Sequence, residues 1–257
     1  MKKTIVLLFT LVIIITCLTG CFKKDKMEDI NIATTVYPIE YVTKRLYGNN
    51  SAIKSIYPRD SISDTYKITN KQLKDYSEYD LFIYNGESKE REYATTMLND
   101  NKNLKIIDAA YGIDATFKTS DVWLNPSNIL MLGQNIKNEL SEYISNPYLV
   151  EELNNQYTQL KVDITELETE IKKSADNSVN NQIVVADESL NFLKNYIFTI
   201  DHSKSYDIVE TLKNAYNVET LTFRALDTIT EKDEKNNDDY LSIMHSNIDL
   251  LKQEAYK

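Results

Sequence analysis

The chain has 257 residues and a formal net charge of −10, with 39 acidic against 29 basic side chains. That balance argues against nucleic-acid binding, which relies on Lys and Arg to neutralise phosphates, and it is compatible with attracting cations. Five glycines leave little scope for a nucleotide cradle, and neither a Gly-x-Ser-x-Gly elbow nor a His-Glu-x-x-His pair occurs, so no enzyme is expected.

At the N-terminus Lys2 and Lys3 precede an apolar run over 5–15, which leads into Leu18-Thr19-Gly20-Cys21. A charged region, an apolar region and a small-residue cleavage site make an export signal. The run falls short of the about 20 apolar residues that span a bilayer. The Leu-Thr-Gly-Cys order looks like a lipobox: residues 1–20 are expected to be removed and Cys21 to carry the lipid, with an ordinary secretory signal as the alternative. Two acyl chains anchor a protein stably where one binds only marginally. The expected location is therefore the extracytoplasmic face of the cell membrane. Removal takes Cys17, Lys2 and Lys3 with it and leaves 237 residues at −12 with no possible disulfide. The core alone must then hold the fold.

Residues 21–29 are charged and poor in apolar side chains, as a flexible tether would be. Strands are predicted over 31–36, 52–57, 80–86 and 104–108. Helices are predicted over 38–47, with Pro38 at the start and Gly48 past the end, and over 70–77. Strands alternating with helices argue for a parallel α/β sheet. After a helix over 127–143, Asn146-Pro147 restarts the chain, and Leu149, Leu153, Tyr157, Leu160, Ile164, Leu167 and Ile171 recur with helical spacing. A helix of about 28 residues, or about 42 Å, would bridge two lobes. A dimeric coiled coil is a weaker alternative for one isolated stretch, so a monomer is expected. A polar linker over 174–181 ends the helix. Strands over 182–186, 197–200 and 218–223 follow, with helices over 189–196, 205–216 and 240–255. The charged run over 232–239 reads as a solvated loop.

Taken in series, Leu18-Thr19-Gly20-Cys21, Thr34-Thr35-Val36-Tyr37-Pro38-Ile39, Asp80-Leu81-Phe82-Ile83-Tyr84-Asn85-Gly86, Val122-Trp123-Leu124-Asn125-Pro126, the long helix, and Tyr240-Leu241-Ser242-Ile243-Met244 with Asn247 resemble the zinc and manganese substrate-binding lipoproteins of bacterial ABC importers. These are also called adhesin-type metal-binding proteins. The likeness covers nearly all of the chain beyond the signal. It implies an α/β fold of two Rossmann-like lobes joined by one long rigid helix, with boundaries at 30–145, 146–175 and 176–257. It also implies a metal held in the cleft by four side chains and an ABC permease as partner.

Carried over position by position, the first ligand falls on Asp64, with Pro58 and Tyr66 in register, and the second on Asp121, where relatives carry a histidine two residues before the tryptophan. The third falls on Ala186, next to Asp187 and Glu188, and the fourth on Asp227. No histidine remains at a ligand position. The second lobe also looks shortened, with one helix between residues 200 and 218 where relatives have a further strand-helix unit.

Three aspartates in one cleft would form an oxygen-only site, suited to Mn²⁺, Mg²⁺ or Ca²⁺ rather than to zinc, which prefers nitrogen and sulfur. The competing expectation is a decayed site with three exposed loop aspartates. His202 and His245 read as ordinary surface or satisfied histidines, and Trp123 as a packing residue. Asp187 and Glu188 could suggest acid-base work, but neighbours in sequence need not share a site. The expected function is delivery of a divalent cation (Mn, Zn or another) to the permease. The alternative is a non-transporting relative, a surface interaction or accessory lipoprotein with a vestigial site.

Overall fold

A computed structural model of the protein describes residues 24–61, 63, 65–86, 88–113, 121–176, 198–200 and 221–255. The signal segment with Cys21, the positions Asp64, Ala186, Asp187, Glu188 and His202, the strand expected over 182–186 and the helices expected over 189–196 and 205–216 lie outside these residues.

The first half alternates β1 (Ile30–Thr34), α1 (Tyr37–Tyr47), β2 (Ser51–Ser55), α2 (Asn70–Ser77), β3 (Leu81–Tyr84), α3 (Ser88–Asp100) and β4 (Lys105–Asp108). The sheet is parallel throughout, in the order β2-β1-β3-β4, with Ile32 of β1 opposite Ile53 of β2 and Leu81 of β3. Consecutive strand residues face opposite sides of a sheet, and Leu81, Phe82 and Ile83 are all buried, so both faces of β3 are covered.

Local chemistry sets several boundaries. Pro38 lies in the first turn of α1, where its missing N–H costs nothing. Gly48 does not close that helix in the left-handed form, because its φ is −61° and the chain passes through a 3₁₀ turn over Gly48–Asn50 into β2. α2 starts on a capping box in which Thr69 and Gln72 exchange side-chain and backbone hydrogen bonds. α3 is absent from the sequence expectations. Its buried face is formed by Ala94 and Met97 together with a carboxylate, Glu90, so the apolar stripe that marks a helix is broken by a charge.

α4 (Pro126–Tyr143) and α5 (Pro147–Asp176) follow, the latter 30 residues and about 45 Å long. α5 packs against α1, α4 and the closing helix α7 (Tyr240–Ala255), burying Leu153, Leu160, Ile164 and Leu167. Each such side chain contributes about 1.5–3 kcal/mol on removal from water. At Gly133 of α4 the two helices come close, for a Cβ there would stand 3.0 Å from Leu160 Cδ2 and the Leu160 side chain would have to give way by a few tenths of an ångström. α5 runs past 174, where a polar linker is expected to start, and it includes Ser174, whose buried hydroxyl donates to the carbonyl of Glu170.

Beyond α5, β5 (Phe198–Ile200) and β6 (Leu221–Phe223) pair in parallel, consistent with the α/β reading of this part. Two sequence expectations are corrected. The run expected as a solvated loop contains helix α6 (Glu231–Asn236), which starts on a Thr230/Asp233 capping box and ends on Asn237 at φ 60°. Its charges are not all solvated, because Asp233 is buried. Nor is the expected tether loose from Lys24 onward: Met27 is buried, its carbonyl accepts from Tyr47 Oη at 2.9 Å, and the Asp25 carboxylate accepts from the backbone N–H groups of Met27, Ser145 and Asn146.

Candidate metal centre

In the strand order β2-β1-β3-β4 the chain leaves β1 first to one side and later to the other, which makes the C-terminal ends of β1 and β3 the switch point where open α/β sheets bind ligands. Thr35 and Val36 follow β1 there, and Asn85 and Gly86 follow β3. The segment that carries Asp227 reaches this edge, for Tyr37 N donates to the Asp227 carbonyl at 2.8 Å and Asp60 N to Ile229 O at 3.4 Å. The hydroxyl oxygens of Thr34 and Thr35 are buried at the same edge and find no hydrogen-bond partner among the described residues.

Trp123 links the two described ligand positions. Its indole Nε1–H donates to Ala225 O at 2.7 Å, its carbonyl accepts from Tyr240 Oη at 2.7 Å, and the ring is wholly buried, as a packing residue would be. Asp121, two residues before it, precedes the 3₁₀ turn Val122–Leu124 and is 3% exposed. Asp227, two residues after Ala225, is 7% exposed; Oδ2 accepts from Ser63 N at 3.1 Å and Ser63 Oγ at 3.4 Å, and Oδ1 from Thr228 N at 3.0 Å. Neither aspartate is an exposed loop residue.

Between Ala225 and Asp227 stands Leu226 at φ 64°, a left-handed conformation that costs a branched residue about 1–3 kcal/mol. The surroundings hold it there. Asn247 clasps Arg224, two residues earlier, accepting from its N–H at 3.0 Å and donating to its carbonyl at 3.2 Å. The Arg224 guanidinium pairs with Asp233 through bonds of 2.9 and 2.7 Å, and Asp233 also accepts from Thr230 N and Oγ1. Burial alone would raise the Asp233 carboxyl, but Arg224 and Thr230 outweigh it and bring it down to about 2.

A second strut joins the loop after β2 to α6. Arg59 makes two bonds to the buried Glu40 carboxylate, at 2.6 and 2.8 Å, and one to Glu234 at 2.8 Å. Burial would raise the Glu40 carboxyl, but Arg59 and Lys44 hold it below the usual range. At the first turn of α3, Glu90 is 1% exposed and accepts from Tyr57 Oη at 3.2 Å and Asn85 N at 3.0 Å. Lys89 beside it donates to Ser63 O and Tyr66 O.

Asp64 and the third position, Ala186, lie outside the described residues. Among the described residues no three His, Cys, Asp or Glu side chains gather to hold a metal. His245, on α7, has its Nδ1 3.1 Å from Glu170 Oε2 of α5 and a side chain 42% exposed. Sequence reasoning missed Ser63, Lys89, Glu90 and Leu226. Nothing local marks Leu226, whereas Asn247 already stood in the closing-helix motif.

A family model described as zinc-uptake complex component A, periplasmic (ZnuA), matches residues 32–199. The zinc-binding lipoprotein AdcA of Streptococcus pneumoniae (strain ATCC BAA-255 / R6) is 22% identical over 308 residues, covering 98% of this chain and 61% of that protein. The manganese ABC transporter substrate-binding lipoprotein PsaA of Streptococcus pneumoniae serotype 4 is 26% identical over 161 residues, covering 55% of this chain and 52% of that one. The chain thus spans about three-fifths of the AdcA length. The crystal structure of the Zn(II)-bound ZnuA-like domain of AdcA superposes with a TM-score of 0.74 at 19% identity, covering 89% of this chain and 100% of that one, a likeness that shows the fold. On the family match over 32–199, the chain belongs to the zinc-uptake component A family of zinc/manganese ABC-importer substrate-binding proteins, which are binding proteins and not enzymes.

Proposed function

We propose that the protein is the lipid-anchored, extracytoplasmic substrate-binding component of a metal ABC importer, and that it carries a divalent cation to the membrane permease. The observation that supports this reading is the burial of two carboxylates, Asp121 and Asp227, in segments that the Trp123–Ala225 hydrogen bond ties together. Burying a carboxylate costs free energy unless hydrogen bonds or a cation compensate it, and a cation site puts that cost to use. Asp64 is the proposed third oxygen ligand, and Ala186 supplies none. With carboxylates and water alone, the site suits Mn²⁺, Ca²⁺ or Mg²⁺ better than zinc. Lobes over 30–145 and 176–257, a connecting helix over 146–175, a lipid on Cys21 and a monomeric state complete the proposal.

The second reading, a non-transporting accessory lipoprotein with a vestigial site, draws on one feature: Asp227 Oδ2 already serves Ser63 as a structural acceptor. Thermal melts with and without Mn²⁺, Ca²⁺, Mg²⁺ or Zn²⁺ separate the two. A cation-binding site raises the melting temperature with one of these ions, and Asp121→Asn removes most of that rise. Identical melts for wild type under all conditions would leave only the accessory reading.

A further inference from the structure

We infer that Lys89 is a built-in counter-cation of the candidate metal centre, one that clips the 63–66 turn to α3 and lowers the affinity of that centre for a divalent ion. The inference rests on the cation-binding reading of Asp227.

The Lys89 ammonium donates to Ser63 O at 2.6 Å and to Tyr66 O at 2.8 Å. It also lies 5.5 Å from the centre of the Tyr57 ring and 6.0 Å from that of Tyr93. Carbonyls and ring faces stabilise such a charge, and among the described residues Lys89 makes no ion pair. The position is enforced by the next residue. Glu90 is anchored inside the sheet edge by Tyr57 Oη and Asn85 N, which fixes the first turn of α3 and with it the root of Lys89.

Ser63 is the hinge of the argument. Its carbonyl accepts from Lys89, while its own N–H donates to Asp227 Oδ2 at 3.1 Å. The N and O atoms of one residue are at most about 3.6 Å apart, so Nζ and Oδ2 lie within about 9 Å of each other. That separation is inside the Debye length of about 10 Å at 0.1 M salt. An ion captured by Asp227 therefore feels the ammonium directly, and the centre trades affinity for a turn that stays docked when no ion is bound.

The test is Mn²⁺ titration of the full-length protein in detergent, reading free Mn²⁺ by electron paramagnetic resonance, for wild type, Lys89→Gln, Lys89→Met and Lys89→Arg. Circular dichroism checks the fold of each, and the two neutral variants back each other up. The neutral variants are expected to bind Mn²⁺ at least about threefold more tightly at low ionic strength, as Coulomb's law gives for a unit charge at this range even in a water-like medium. Lys89→Arg should stay within about twofold of wild type, since it keeps the charge. The gain should shrink between about 0.01 M and about 1 M salt, where the Debye length falls from about 30 Å to about 3 Å. A purely structural clip predicts the opposite sign, because releasing Ser63 loosens the centre. Unchanged or weaker binding by folded neutral variants, with wild type binding, overturns the inference and leaves the cation reading standing. No Mn²⁺ binding by any of the four proteins overturns both.

Discussion

Replacing Asp233 by Asn is expected to lower stability at neutral pH by an amount that disappears in acid, and to weaken cation binding at a residue it does not touch. The Asp233 carboxylate takes two bonds from Arg224 and two from Thr230, and it forms half of the capping box that starts α6. A carboxyl brought from 3.8 down to about 2 stores at most about 2.4 kcal/mol, at 1.36 kcal/mol for each pKa unit. The Arg224 side chain is 35% exposed, so solvent screening reduces this to about 1–2 kcal/mol. Because the folded value lies below the unfolded one, the stabilisation is complete above about pH 4 and fades as pH falls towards 2. Urea unfolding followed by circular dichroism should give a wild-type advantage of about 1–2 kcal/mol at pH 7 that closes by about pH 2. Arg224 is also the residue that Asn247 clasps just before the strained Leu226, so loss of its partner should let Leu226 relax and move Asp227, lowering Mn²⁺ affinity as well. An advantage that stays constant between pH 7 and pH 2 would refute the electrostatic account. Unaltered Mn²⁺ affinity in a destabilised mutant would refute the mechanical one.

Trp123→Phe removes the indole donor to Ala225 and leaves a smaller ring in a fully buried site, so unfolding in urea should cost about 2–4 kcal/mol less; a loss below about 1 kcal/mol would show that the indole bond matters little. Glu40→Gln strips the buried partner from Arg59 and Lys44 and should destabilise by about 2–3 kcal/mol, less than a fully buried pair because Arg59 is partly exposed. Since the Glu40 carboxyl is held low, its contribution is present above its ordinary value of 4.5 and lost as pH falls below it, so the melting-temperature gap between wild type and mutant should narrow in acid. Cys21→Ala should abolish lipidation and move the protein out of the detergent phase in partitioning; unchanged partitioning would exclude the lipobox reading.

The parallel sheet and several element ends were legible in the sequence because their causes are local. Strands alternate with helical stretches, Thr69 and Gln72 are close enough to cap α2, and Tyr240 opens the closing helix at the residue expected. α6 is legible in principle, since Thr230 stands three residues before Asp233 at capping-box spacing, but its dense charge run has the composition of a solvated loop. α3 was harder, because Glu90 turns inward only to meet Tyr57 and the end of β3, partners that its own helix does not reveal. The centre itself was decided by tertiary structure. A local window can place Asp121 beside Trp123, yet Trp123 meets Ala225 across 102 positions and Ser63 meets Asp227 across 164. Leu226 is held left-handed by groups from two later helices, and Met27, in a stretch composed like a tether, is buried against α1. Propensity, capping and periodicity act over a turn or a strand, whereas a buried carboxylate and a strained backbone persist only where distant segments supply the donors and the packing that offset their cost.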